Sequence, residues 1–349
     1  MNFRKTLWAT LAVMTALTGT SFAKPKDATA AIRTKAKDEH YIFELDSQVK
    51  REHVYYRNRF GIEIAADLYT AKNLDKNAKH EAVVIGPPFG GVKEQGPGVY
   101  AQQLAKRGFV ALAFDPAYHG YSGGEVRNTG SPAMYLEDFS AGVDFLGSLK
   151  YVDREKIGAL GICGSGGFAM GAATMDRRIK AVVTSAMYDI AGGMNSIPNP
   201  ARTAMLDEAA ASRWNRLDTG ADTTRYSYPD SPVEIAPEGL TGDMPEFFEF
   251  YGMKRGWHYN ARGNITGESA AEIMSLPTST HIGELNRPIL FVTGDIAHSR
   301  AFSENAYAAA SEPKELYVAQ GGVRHIDLYD DVSKIPFDKI EDFLKVNLK

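Results

Sequence analysis

Short continuous apolar runs alternate with amphipathic stretches along most of this chain. The runs in EAVVIGPPFGG, FVALAFD, KIGALGI, IKAVVTSAM and RPILFVTGD read as buried strands. Between them, GVYAQQLAKRG, residues 132–149, GGFAMGAATMD and residues 299–310 read as helices, with KELYVAQGG as a further strand and 335–348 as a last helix. Ahead of these, HVYYRNRFGIEIAADLYTA predicts two strands joined at 58–61, with Ile62, Ile64 and Ala66 alternating. Strands alternating with helices imply βαβ crossovers, hence a mostly parallel central sheet covered by helices on both faces.

The rhythm breaks between 189 and 284. That stretch lacks a buried-strand pattern, carries Pro198, Pro200, Pro229, Pro232 and Pro237, and contains the aromatic-rich EFFEFYGMKRGWHY. An insertion of this length needs helices of its own. It stands just before the penultimate core strand, so it is expected to be a helical cap whose aromatic residues line a pocket. The expected core is then 46–188 with 285–349, the cap 189–284. A charged, Ala-rich leader, 24–45, is expected to be loosely attached.

The first residues have a different character. Arg4 and Lys5 precede an apolar stretch from Leu7 to Leu17, and Ser21-Phe22-Ala23 offers a small-x-small cleavage site. This is the layout of a secretory signal peptide, 1–23, and it predicts export to the periplasm or beyond. The stretch is far shorter than the roughly 20 residues that cross a bilayer, so stable membrane insertion is not expected. Without 1–23 the chain keeps 37 basic and 43 acidic residues. That balance argues against a nucleic acid partner. The oligomeric state is not readable from the sequence. Cys163 is the only cysteine, so no internal disulfide can form although an exported protein could keep one.

Ligands of such sheets collect beyond the carboxyl ends of the strands. There GALGICGSGGFAM places two small nucleophiles two positions apart, Cys163 and Ser165. A nucleophile elbow is a strained strand-to-helix turn of pattern G-x-Nuc-x-G. Gly161-Ile162-Cys163-Gly164-Ser165 fits it with Ser for the last Gly; Cys163-Gly164-Ser165-Gly166-Gly167 fits it with Cys for the first. Strand length favours Cys163, because IGALGI is one uninterrupted strand and the elbow residue should follow it at once. A helix N-terminus and a nearby imidazole would lower the thiol pKa. Ser165 stays as the alternative. The base is expected at His325, in a Gly-preceded loop after the last strand, with His298 and His119 next in line. The orienting acid is expected at Asp295, which ends ILFVTGD, with Asp189 in reserve and Asp327 directed toward the following helix. Oxyanion donors are expected at the amides of Gly164 and Phe89, since Pro87 and Pro88 have none to offer. No set of residues has metal-ligand spacing, and GICGSGG lacks the Lys-Ser/Thr of a phosphate loop.

The segments GPPFGGVKEQ, FDPAYHGYSGGE, GICGSGG, TGDIAHSRAFSE and GGVRHIDLYD together resemble an α/β-hydrolase. The resemblance is to a bacterial subgroup related to dienelactone hydrolases and to X-Pro dipeptidyl-peptidase/acetylesterase-like hydrolases, and it covers nearly all of the chain after 23. It implies an elbow Cys at Cys163, base His325, acid Asp295, oxyanion donors Phe89 and Gly164, and no cofactor. Ser165 departs from the usual final Gly and leaves the serine register open. The expected activity is hydrolysis of an ester, lactone, thioester or related acyl bond of a small molecule, through a covalent acyl-enzyme. Acyl transfer on the same residues, or ligand binding without catalysis, are the rival readings.

Overall fold

A computed structural model describes residues 40–349. The expected signal peptide and residues 24–39 of the expected leader lie outside the described residues. What is described of the leader is not loose. Tyr41 donates to Asp67 Oδ2 at 2.7 Å, and Ile42 and Phe43 pack on the core.

Eight strands form the sheet. β1 (Val49–Arg57) and β2 (Glu63–Ala71) are an antiparallel hairpin, and β2 pairs antiparallel with β4 (Val110–Phe114). From there on every pairing is parallel: β4 with β3 (His80–Gly86), β3 with β5 (Val152–Ile162), β5 with β6 (Val182–Ser185), β6 with β9 (Ile289–Gly294), and β9 with β10 (Lys314–Ala319).

The continuous apolar runs follow from burial on both faces. Val83, Ile85, Leu160 and Ile162 share a core with Tyr100 and Leu104 of helix α1 (Gly96–Lys106) and with Ile340 and Leu344 of the C-terminal helix, Phe337–Asn347. Val84, one residue out of phase, points the other way. A Cβ on Gly142 of α2 (Pro132–Ser148) would lie 2.7 Å from its Cγ1. α2 in turn packs on α3 (Gly164–Met175), which leaves β5 at the elbow.

The segment between β6 and β9 has no strand of the main sheet. It carries α4 (Ile190–Asn195), α5 (Ala201–Thr219), α6 (Met244–Tyr251) and α7 (Ser269–Ser275), with a two-residue antiparallel pair, β7 (Thr224–Arg225) and β8 (Ile265–Thr266). α5 buries only Ala209, whereas α6 buries Phe248, Phe250 and Tyr251. α6 thus joins the insertion to the core. After β9, α8 (Arg300–Ala309) returns to β10, and the four-residue α9 (Asp327–Asp330) precedes α10 (Phe337–Asn347). No helix among the described residues is long and apolar enough to cross a membrane.

The loop that follows β10 passes close over the carboxyl end of β9, because Gly294 has no side chain. A Cβ there would lie 2.0 Å from the Val323 carbonyl oxygen. Gly294→Ala must therefore part the two loops. A loss of about 3 kcal/mol is expected from backbone overpacking, read as a lower midpoint in urea unfolding. An unchanged midpoint would mean the loops part freely.

Candidate active site

Cys163 follows β5 directly and caps α3 with φ 54° and ψ −121°. Such a backbone is strained for any residue with a Cβ, and it persists only where the surroundings fix it. Here three hydrogen bonds do so. The Cys163 amide donates to Ser185 O, and its carbonyl accepts from the amides of Gly166 and Tyr188, all at 2.9 Å. Gly161 lets the chain double back, since a Cβ there would lie 1.9 Å from Ser165 O. The side chain so presented faces a cavity of about 400 Å³.

Ser165 is placed elsewhere. It is fully buried in the first turn of α3, its hydroxyl has no hydrogen-bond partner, and a Cβ on Gly86 would come within 2.8 Å of it. It does not line the cavity. The strain of the turn aims one residue into the pocket and the next but one into the sheet.

The amides of Phe89 and Gly164 both reach the Cys163 sulfur, which lines the cavity. The Phe89 loop is pinned on every side. Gly91 N donates to Pro88 O at 2.7 Å, Lys93 N to Asp115 Oδ1 at 2.8 Å, and Gln95 Nε2 to Gly256 O of the insertion at 2.6 Å. Behind it, the buried Lys93 ammonium stands between Glu94 and Asp67, 3.5 Å from Asp67 Oδ2. A donor held this firmly needs little reorganisation when charge develops beside it.

His325 is fully buried. Its Nδ1 pairs with Ser299 Oγ at 2.6 Å and its Nε2 with the Tyr329 hydroxyl at 3.0 Å. His298 stacks on it, ring centroids 4.5 Å apart, and Tyr188 and Phe247 close in edge-on. Burial, and secondarily His298, holds the imidazole well below its usual pKa. His119 lies apart, with Nε2 on Thr129 O and burial pushing it down to about 4.

Asp295 corrects the expectation drawn from chain order. Its carboxylate accepts from Val323 N at 2.7 Å and from Gly321 N and Gly322 N at 3.1 Å. Those amides hold its pKa below the ordinary range. The acid spends its oxygens on the loop before His325, and Ser299, four residues on, meets the ring in its place. Asp189 caps α4 through Gly192 N at 2.9 Å, and Asp327 accepts from Arg324 and Lys334; neither faces the imidazole. The sequence reading missed Ser299 and Tyr329. Tyr329 lies four residues on from His325, where the chain turns into the short helix Asp327–Asp330.

The thiol also departs from expectation. Burial pushes Cys163 up to about 11, against the Tyr329 hydroxyl and the two amides, which favour the thiolate. No imidazole sits on the sulfur to offset burial. The site holds a neutral thiol with two backbone amides at its sulfur, a neutral imidazole, and an apolar cavity lined by Phe89, Tyr188, Tyr228, Phe247, Tyr251 and Ile265. It can support sulfur attack on a carbonyl, with the negative charge formed only on reaction. Among the described residues no group of His, Cys, Asp or Glu could hold a metal ion.

Residues 65–188 match the model of the dienelactone hydrolase family. The chain is 45% identical over 315 residues to the uncharacterised protein PA2218 of Pseudomonas aeruginosa, covering 88% of this chain and 83% of that one. The crystal structure of PA2218 superposes with a TM-score of 0.83 at 43% identity, over 90% of this chain and 98% of that chain. A shorter match, 32% identity over 124 residues, covers 36% of this chain and 37% of the thiohydrolase aneE of Aspergillus aculeatus. Est1E of Butyrivibrio proteoclasticus, solved with ferulic acid, shares the fold with a TM-score of 0.56 at 19% identity, over 84% of this chain and 98% of that chain.

A thiol with a pKa near 11 is protonated at neutral pH, and each unit of pH below that value cuts the thiolate tenfold. Iodoacetamide labelling of Cys163 should therefore quicken about tenfold per unit between pH 7 and 10. Mass spectrometry of timed samples measures it. A rate already at its plateau by pH 8 would show a stable thiolate.

Proposed function

The chain belongs to the dienelactone hydrolase family of α/β hydrolases, and from that premise we propose that it cleaves a compact, apolar ester, lactone or thioester through an acyl-Cys163 intermediate. One observation carries this reading. Cys163 projects from the elbow into an apolar cavity with the amides of Phe89 and Gly164 at its sulfur.

In this mechanism the sulfur attacks the carbonyl carbon and the carbonyl oxygen takes up negative charge. That oxygen swings to the two amides that the thiol occupies at rest. His325 receives the thiol proton and returns it to the leaving group. Water then attacks the acyl-enzyme with His325 as base, regenerating the thiol. Ser299 holds Nδ1 and so keeps Nε2 directed at Tyr329. A neutral hydroxyl orients an imidazole but stabilises its cation less than a carboxylate does, which suits a ring kept neutral at rest. Cavity volume and aromatic lining favour short or ring-bearing acyl groups over polymers. The similarity to a thiohydrolase supports including thioesters. The insertion supplies Tyr228, Phe247, Tyr251 and Ile265, so the specificity is expected to reside there.

Hydrolysis of a p-nitrophenyl ester and thioester series of increasing chain length tests the reading. Cys163→Ala should be inactive and Ser165→Ala should keep most of its rate. Ser299→Ala should lose about tenfold or more in kcat, while Asp295→Asn should act mainly on stability. Phe247→Ala should shift the preferred chain length upward. An active Cys163→Ala enzyme with an inactive Ser165→Ala would overturn the assignment. Conversion of added alcohol to a new ester in preference to water would mark an acyltransferase, and no turnover of any activated ester a binding protein.

The N-terminal pattern supports export with cleavage after Ala23. The intact mass of protein recovered from the periplasm or medium should correspond to a chain beginning at Lys24. Full-length protein confined to the cytoplasm would refute it.

A further inference from the structure

Cys163 and His325 are linked by a third side chain. The Tyr329 hydroxyl lies 3.0 Å from His325 Nε2 and also touches the Cys163 thiol. Tyr329 is wholly buried, its ring set edge-on to Phe250 and to His325 with centroids 5.2 Å away in each case, yet it lines the cavity beside Cys163. The other imidazole nitrogen is taken by Ser299. Both hydrogen-bonding positions of His325 are thus filled, and its path to the sulfur runs through the phenol.

We propose that Tyr329 is a catalytic residue that carries the Cys163 proton to His325. This rests on the reading of Cys163 as nucleophile. For Nε2 to accept, Nδ1 must bear the ring hydrogen and donate it to Ser299 Oγ, which defines the tautomer. In acylation the S–H bond breaks and its proton goes to the Tyr329 oxygen. The phenol's own proton leaves at the same time for Nε2. The sulfur pair forms the C–S bond while the carbonyl π pair moves to the oxygen held by Phe89 and Gly164. When the tetrahedral species collapses, the C=O bond re-forms and the bond to the leaving group breaks. The leaving atom takes a proton from the Tyr329 hydroxyl, which is refilled from Nε2. Tyr329 and His325 end as they began.

The surroundings require the two transfers to be concerted. Burial, with Cys163 and Tyr251 close by, raises the phenol well above its usual pKa, and burial holds the imidazole down. A free tyrosinate or an isolated imidazolium would each be a poorly solvated charge. Moving both protons at once avoids the first and shortens the life of the second.

Tyr329→Phe keeps the ring and removes only the relay. At neutral pH its kcat on an activated ester should fall about a hundredfold, the usual size of a proton-transfer contribution. Its rate should then climb about tenfold per pH unit as hydroxide makes the thiolate directly, whereas the parent enzyme stays level over that range. Rates of the unmodified enzyme in H2O/D2O mixtures should curve with deuterium fraction, because two protons move together; those of Tyr329→Phe should not. A Tyr329→Phe enzyme with the parent's rate and pH profile overturns the relay. So does a straight dependence on deuterium fraction in the unmodified enzyme, which needs no variant to fold. Either result leaves the nucleophile intact, provided Cys163→Ala is inactive. An active Cys163→Ala enzyme overturns both readings.

Discussion

The turn at Cys163 is the constraint on which the site depends. A residue with a Cβ is held at positive φ where β5 becomes α3, a conformation costing on the order of 1–3 kcal/mol. It persists because β6 pairs with the turn on one side and α3 starts at once on the other. Gly161 supplies the room, allowing Ser165 O to approach where any side chain would collide. The same geometry directs the Gly164 amide at the sulfur, so thiol and one amide are set by a single backbone event. The other amide, at Phe89, comes from a separate loop, and its hold is electrostatic as well as steric.

That hold involves buried charge. Lys93, Glu94, Asp67 and Asp115 are all buried beneath the Phe89 loop, and a buried charge is tolerated only when paired. Lys93 stays charged among three carboxyls. Burial raises the pKa of Glu94 and of Asp115 against the pull of Lys93, so desolvation favours shedding part of the cluster's charge. Asp67, next to Lys93 and His53, remains the ionised partner. Gln95 passes the anchorage on to the insertion through Gly256. The cap is tied to the loop that must not move. It is tied also to the His325 loop, because Glu246 accepts from the Ile326 amide at 2.7 Å.

Low polarity moves the pKa values of Cys163 and His325 in opposite directions. It penalises the thiolate and it penalises the imidazolium, so both groups rest uncharged. The two amides become most useful once negative charge appears next to them. A thiol kept neutral by burial is also less open to adventitious oxidation than a thiolate.

Much of this was written in local sequence. Apolar runs such as VVIG, VALAF and IGALGI are buried on both faces, and nothing but a covered parallel sheet accepts them. Gly161, Gly164 and the small residues around Cys163 carry the elbow for the same local reason, that a sharp strand-to-helix turn excludes larger side chains. Chain order likewise pointed to His325 and the Phe89 amide, which the fold brings to the Tyr329 hydroxyl and to the Cys163 sulfur. It misplaced the acid, because Asp295 was judged by its position after β9 while its oxygens were claimed by three amides from a loop 26 residues and more away. It misjudged the thiol too, since burial depth and the interposed Tyr329 are properties of packing. Tyr41 to Phe43 went the same way, being lost among charges in sequence and held by Asp67 and the core in space. Periodicity and steric exclusion act between neighbours in the chain and can be read there; competition for a hydrogen-bonding atom, and the polarity around a titrating group, are decided by residues that only folding brings together.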